Sequence, residues 1–171
     1  MSESPEIPEA KDPFEKRVAI TIAIIAAILS FISNYGDDAK TDAILKNTEA
    51  GDQWAFYQAK SIKEHTDHNS ASLASLLPVD AKRDEMINHL NDEAKRYGDE
   101  KKEIKTKAEE LAKESQAASA VNNRCDRASL VLQLAIILSS VAILSRWRAI
   151  WYFGVAIGLG GAVFGATAFF L

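Results

Sequence analysis

The feature that most restricts the fold of this chain is the absence of charge from three long segments. All 44 of its Asp, Glu, Lys and Arg residues (24 acidic and 20 basic) lie in 1–17, in 37–127, or at Arg146 and Arg148. Three uncharged windows remain, 18–36, 128–145 and 149–171, with 19, 18 and 23 residues. A helix of about 20 mostly apolar residues crosses the roughly 30 Å hydrocarbon core of a bilayer. The sequence therefore predicts three transmembrane helices.

The average composition hides this segregation. With 47% hydrophobic and 26% charged residues, the 171-residue chain resembles a soluble protein when its windows are ignored. Its net charge of −4 offers no clustered basic face, so we expect no nucleic-acid partner. The single cysteine, Cys125, excludes an internal disulfide and a Cys-based zinc site.

The N-terminal region combines a polar tail with an anchor. Residues 1–13 hold three of the four prolines and several acids, which predicts a disordered tail. The first span, 14–36, follows an acidic stretch and has no small-residue cleavage site after it. This pattern favours a retained membrane anchor over a cleaved signal peptide.

Residues 37–127 predict an extramembrane helical hairpin. Both arms are rich in helix-forming residues, and Pro78 is the only proline after residue 13. Because the residue before a proline is disfavoured in a helix, the tip is placed near 77–80, with Asp80 as the N-cap of the second arm.

The second arm carries a heptad pattern over five repeats, which is typical of coiled-coil packing. Nine of its twelve seam positions are apolar, and the first arm shows a weaker seam. The second-arm seam comprises Ile87, Leu90, Ala94, Tyr97, Lys101, Ile104, Ala108, Leu111, Ser115, Ala118, Asn122 and Cys125. The first-arm seam comprises Leu45, Thr48, Ala55, Ala59, Ile62, Leu73 and Leu76.

The predicted fold class is thus all-α: an integral membrane protein with three transmembrane helices and a long antiparallel coiled-coil hairpin between the first and second. A fold about the tip brings together residues whose numbers sum to about 157. A two-helix hairpin buries only a narrow stripe, so we also expect a homo-oligomer.

The second span (128–145) and third span (149–171) contain residues typical of helix packing in lipid. Gln133 is an amide at membrane depth, which usually faces another helix. The third span repeats small residues every three or four positions, as in small-xxx-small packing. These are Gly154, Gly158, Gly161 and Gly165. Trp147, Trp151 and Tyr152 predict an interfacial aromatic belt.

Basic residues predict the orientation of the spans. Lys16, Arg17, Arg146 and Arg148 flank span ends on one side, which the positive-inside rule makes cytoplasmic. Arg124 and Arg127 at the other side oppose this assignment. The distribution of these basic residues favours a periplasmic hairpin, and we expect a multi-pass protein of a bacterial inner membrane.

The segment GDQWAFYQAKSIKEH at 51–65 resembles a signature of a bacterial membrane-protein family catalogued as a domain of unknown function. In that family the run reads approximately DQWAYYQAKSIK after an N-terminal anchor, and Phe56 stands here where tyrosine is usual. The segment FEKRVAITIAII at the start of the first span and the two spans around Arg146-Trp147-Arg148 are also similar to that family. The resemblance implies the same topology and assigns no activity.

Within this segment Trp54, Tyr57, Ser61 and His65 fall on one helical face. Such a face either binds a partner protein or packs within a helical bundle, and packing is the more common use of aromatic residues at helical spacing.

Chemistry-bearing residues are sparse. His65, His68 and His89 form a weak metal candidate, since a fold about the tip sets His68 opposite His89. We expect neither a bound metal nor a cofactor. No phosphate loop, nucleophile–base set or paired-carboxylate cleft is recognisable, so we expect no enzyme. The leading hypothesis is an oligomeric membrane scaffold or interaction protein, and the alternative is an oligomeric channel or transport accessory subunit.

Overall fold

The computed structural model describes residues 13–170, and this part of the chain is helical without any strand. It consists of α1 (Pro13–Ala74), α2 (Ala81–Ser145), α3 (Arg148–Ala166) and a short 3₁₀ helix (Thr167–Phe170). The all-helical fold class is confirmed. The predicted disordered tail lies outside the described residues, apart from Pro13, which is the first residue of α1.

Helix α1 is continuous from Pro13 to Ala74, so Gly36 does not interrupt it. The glycine instead allows two helices to approach closely. A Cβ atom at Gly36 would lie 2.7 Å from the Cβ of Cys125 on α2, which is closer than two carbon atoms pack. A side chain at this position would therefore push the helices apart.

The turn between α1 and α2 covers residues 75–80, which includes the predicted tip. The last turn of α1 closes with hydrogen bonds from the amides of Leu76 and Leu77 to Leu73 and Ala74. Asp80 then accepts a hydrogen bond from the backbone amide of Arg83 at 2.6 Å, which is the N-cap contact expected of it.

The chain divides into two compact units, which are described separately below. The charged unit comprises residues 42–117. The apolar unit comprises the described residues 13–41 and 118–170.

In the charged unit, α2 packs with the face that the heptad pattern predicts. Ala94, Ala108 and Ser115 are buried, and the other seam positions from Ile87 to Leu111 are half-buried. The first-arm seam was wrong: all seven of its residues, from Leu45 to Leu76, are exposed. Helix α1 packs through a different face.

The inner seam of α1 consists of small and charged residues. Its positions also alternate by three and four, and each is buried or half-buried. Alanine lets the two backbones approach, and Lys46, Lys60 and Glu64 pair with residues of α2. Apolarity alone therefore did not identify this face. The inner seam comprises Ala43, Lys46, Ala50, Gln53, Tyr57, Lys60, Glu64, Asp67, Ala71 and Ala74.

Contacts across the charged unit establish an antiparallel register. The Ser115 hydroxyl donates to the carbonyl of Ala43 at 2.8 Å, and the Lys60 ammonium lies 4.9 Å from the Tyr97 ring centre. These two pairs have residue numbers that sum to 158 and 157. The register therefore agrees with the value of about 157 expected from a turn centred on Pro78.

The apolar unit buries mainly small side chains and exposes many large apolar ones. Ala128, Ala135, Ala142 and Ser139 are fully buried on α2, and Ile25, Ile32 and Leu132 are the large members of the core cluster. Large apolar side chains point outward on all three helices, including Phe31, Leu130, Leu134, Ile137, Leu144, Phe153, Leu159 and Val163. A water-soluble protein rarely exposes so many large apolar side chains together.

Each of the three helices contains a stretch that is long and apolar enough to cross a membrane, by length and composition. The link from α2 to α3 is short, and Arg146 within it has φ of 52°. That left-handed conformation is disfavoured for a residue with a Cβ and is relieved in glycine.

The inner seam makes a testable prediction about the charged unit. Ala50 and Ala108 are buried seam residues whose numbers sum to 158. With Cys125 changed to Ala, we expect Ala50→Cys with Ala108→Cys to form a disulfide within one chain, identified by mass spectrometry of linked peptides. Leu45→Cys with Ala108→Cys is the control and should remain reduced within the chain. A linkage in the control pair alone would contradict the register.

Candidate interaction site

The signature segment 51–65 lies on α1 in the charged unit, and its inner side packs against α2. Trp54 is half-buried, and its ring meets that of Tyr57 edge-on with centres 5.5 Å apart. Tyr57 in turn lies under the ammonium of Lys101 from α2, 5.6 Å from the ring centre. Tyr57 thus contributes to the contact between the helices, and Trp54 packs against it.

Lys101 is the centre of one polar cluster. Its ammonium pairs with the carboxylate of Glu64 and lies 3.5 Å from the hydroxyl of Ser61. Both side chains of the ion pair are about one-fifth exposed or less, 17% for Lys101 and 20% for Glu64. The pair is therefore shielded from water more than a typical surface salt bridge.

A second cluster repeats the same combination with the helices exchanged. Here Tyr97 and Glu100 come from α2, and Lys60 comes from α1. Lys60 pairs with Glu100 and lies over the Tyr97 ring, and Lys63 and Arg96 approach the same ring at 5.6 and 5.1 Å. Each tyrosine is thus covered by a lysine of the opposite helix, which fixes the register through cation–π contacts and ion pairs.

The lysines keep both glutamates ionised. A hydrogen bond from Lys101 lowers the pKa of Glu64, although the partial burial of the carboxyl acts in the opposite direction. A hydrogen bond from Lys60 lowers the pKa of Glu100 in the same way, with Arg96 adding to the effect. The two clusters are therefore charged and paired at neutral pH. They are suited to holding the helices together rather than to transferring a proton.

An open groove of about 460 Å³ borders the first cluster. Among its lysines, Lys101 pairs with Glu64 and Lys102 pairs with Asp99 at 2.9 Å. The groove is lined by Tyr57, Glu64, Lys95, Gly98, Asp99, Lys101, Lys102 and Lys105.

The three histidines are not brought together as a metal site. Their levels along the hairpin agree with the expected register, but His89 lies on the exposed outer face of α2. Within residues 13–170 no group of three or more His, Cys, Asp or Glu side chains is arranged to hold a metal ion.

The other predicted residues lie in the apolar unit. All four glycines, Gly154, Gly158, Gly161 and Gly165, lie on the buried face of α3. At Gly165 an added Cβ would meet Ile32 of α1 at 2.5 Å, and at Gly154 it would meet the Ser139 hydroxyl of α2 at 3.0 Å. Gln133 was expected to face another helix, but its side chain lies on the exposed side of α2.

Sequence reasoning missed Lys60, Glu64, Glu100 and Lys101 as a group. Lys101 was identified only as a seam position, and the other three resemble ordinary surface charges when each helix is considered alone. They could have been found by combining the register of the hairpin with the signs of the charges. When the chain is folded at Pro78, glutamates of one helix fall near lysines of the other.

The structure defines an all-helical protein with a paired helical hairpin and three helices that are long and apolar enough to cross a membrane. Comparison with known families is more specific. The family described as a domain of unknown function (DUF4337) matches residues 14–171, and the chain belongs to this family. No curated protein and no solved structure matches the chain.

The Glu64–Lys101 pair gives a prediction for stability. Lys101→Met leaves Glu64 shielded from water without its partner, so we expect its pKa to rise and the charged unit to lose about 1–3 kcal/mol of stability against local opening. Hydrogen–deuterium exchange of residues 42–117 in the detergent-solubilised chain measures this loss.

Lys102→Met is the matched control, since the Lys102 side chain is 80% exposed. It should leave the exchange of the charged unit unchanged. Equal effects of the two substitutions would show that the Lys101 pair has no special role.

Proposed function

We propose that the protein is a non-enzymatic, oligomeric scaffold or interaction protein of a bacterial inner membrane. In this proposal the apolar unit spans the bilayer with α1, α2 and α3. The charged unit forms an extramembrane hairpin whose outer faces bind other proteins.

The observation that carries the membrane assignment is the burial pattern of the apolar unit. The residues between the helices are mainly glycine, alanine and serine, with a few large ones such as Ile25, Ile32 and Leu132. Many other leucine, isoleucine and phenylalanine side chains face outward. In water, such a surface would cost a large hydrophobic free energy. In lipid, where apolar side chains gain nothing by facing inward, close packing through small residues becomes the favourable arrangement.

Gln133 supports the oligomer. Its amide lies on the exposed side of α2, among Leu130, Leu134 and Ile137, which also face outward. A polar amide facing hydrocarbon is unfavourable unless another helix supplies a hydrogen-bond partner. Since this face is open in the single chain, that partner would come from a second subunit.

The charged unit supports the scaffold. Its two helices pair through a narrow inner seam, so most of each helix surface remains exposed. The residues that pair across the seam are neutralised by one another, as Lys46 and Glu114 are at 2.6 Å. A hairpin built in this way offers long surfaces for recognition, which is the property that a scaffold requires.

The basic end of the apolar unit supports a periplasmic hairpin. Arg146 lies 3.9 Å from Glu15, and Arg148 lies over the ring of Phe14. The start of α1 and the link between α2 and α3 therefore meet at one end of this unit, where Lys16 and Arg17 add further positive charge. The positive-inside rule assigns this end to the cytoplasm.

Cysteine labelling tests the orientation. In the Cys125→Ala background, Ser75→Cys lies in the hairpin turn and Ser145→Cys lies at the basic end. We expect a membrane-impermeant maleimide to label Ser75→Cys in intact spheroplasts and to label Ser145→Cys only after permeabilisation. The reverse pattern would place the hairpin in the cytoplasm.

Mass measurement combined with a flux assay tests the function. Light scattering of the full-length chain in detergent should give a multiple of the chain mass. Liposomes containing the protein should retain an entrapped ion or dye as well as empty liposomes do. A monomer would contradict the scaffold, and protein-dependent leakage would favour the alternative of a channel or transport accessory subunit.

A further inference from the structure

Helix α1 carries a second heptad stripe, on the side of the charged unit that faces away from α2. This outer stripe comprises nine positions from Leu45 to Leu73, separated alternately by three and four residues, and all nine are exposed. Asp52 is its only charged residue. Leu45 is 58% exposed, Ile62 67% and Leu73 67%, which are large values for leucine and isoleucine.

The outer face of α2 shows that such an apolar stripe is not a general property of the unit. Ten exposed positions with the same spacing run from Lys82 to Lys113, and eight of them are charged. Arg96, Asp99 and Glu103 are consecutive examples. Both faces are exposed in the single chain, but only the outer stripe of α1 is largely uncharged. This difference indicates that another surface packs on the outer stripe and not on the outer face of α2.

Gly51 provides an independent observation beside the stripe. It lies in the interior of α1, and an added Cβ would meet nothing within 4 Å. Glycine weakens a helix relative to alanine, and no contact within the described chain compensates for it here. Five residues further on, Phe56 flanks the other side of the stripe and is 58% exposed.

We propose that the outer stripe is covered by the same stripe of a second copy, with the two α1 helices parallel and in register. This inference rests on the proposed function for the parallel orientation. If all copies are inserted into the same membrane with the same topology, their α1 helices run in the same direction. In a parallel pair, a residue flanking the seam faces the residue five positions further along the other helix. Gly51 then faces Phe56 of the second copy, and the symmetry of the pair repeats this contact.

The other flanking pairs are electrostatically compatible with this arrangement. They join Ile44 to Glu49, Gln58 to Lys63 and His65 to Ser70. No pair joins two charges of the same sign. Within the stripe, Asp52 faces the Asp52 of the second copy, and this like-charge contact weakens the association.

Cysteine cross-linking of the full chain in membranes tests the orientation of the pair. In the Cys125→Ala background, Thr48→Cys, Ala55→Cys and Ile62→Cys are successive heptad positions of the outer stripe, and Thr106→Cys on the outer face of α2 is the control. We expect disulfide-linked dimers at all three α1 positions and none at the control. An antiparallel pair would link at no more than one position and would overturn the proposal.

Two substitutions test the contact itself by light scattering in detergent. Gly51→Gln introduces a better helix former into open space, so it should leave the single chain folded and yet reduce dimerisation about tenfold. Ala117→Gln, on the exposed face of α2, should not change dimerisation. Asp52→Asn should strengthen dimerisation, and an equal or weaker association would count against the in-register contact.

The outcomes separate this inference from the proposed function. A chain that is monomeric in detergent and in membranes contradicts both. An oligomer that forms no cross-link through Thr48, Ala55 and Ile62 contradicts only the α1 pairing, because the spans would then hold the copies together. Cross-linking of these positions to a different protein, or their labelling by a lipid-soluble probe, would also overturn it.

Discussion

The close approach of α1 and α2 is the interaction on which the structure depends. It requires residues without bulk at the contact: alanine along the charged unit, glycine opposite Cys125, and alanine and serine beneath α3. A wider separation would break the Ser115–Ala43 hydrogen bond and draw Lys60 and Lys101 away from their glutamates. Since a seam of alanine buries little apolar surface, the ion pairs and the covered tyrosines carry much of the specificity of the pairing.

Much of this architecture follows from the sequence. The uncharged windows predict the apolar stretches, Pro78 and Asp80 predict the turn, and the apolar heptads of α2 predict the face that it buries. The face of α1 was not predictable from apolarity, because its inner seam contains Lys46, Lys60 and Glu64 and its outer stripe contains the large apolar residues. A helix with two seams gives two solutions to the pattern, and only the partner helix decides which of them is used within the chain. For the same reason, the prediction that Gln133 contacts another helix gave no indication that its own chain leaves it exposed.

In the proposed scaffold the two units expose different kinds of side chain. In the apolar unit small residues make up most of the interior, and many large apolar side chains face outward, as is favourable in lipid. In the charged unit most exterior positions are ionised, and the outer stripe of α1 is the exception. If copies associate through that stripe and through Gln133, the charged outer face of α2 remains available to other proteins. The division of surfaces would let one hairpin join its own copies and a partner without competition.

Residue-resolved photolabelling with a lipid-soluble diazirine tests the central claim most directly. With the full-length chain in liposomes, the account predicts label on outward side chains of the apolar unit such as Phe31, Leu134 and Phe153, and little on Ala135 or on Leu45 and Ile62 of the charged unit. Absence of label from the apolar unit, or equal labelling of the two units, would contradict the assignment of lipid to one and water to the other.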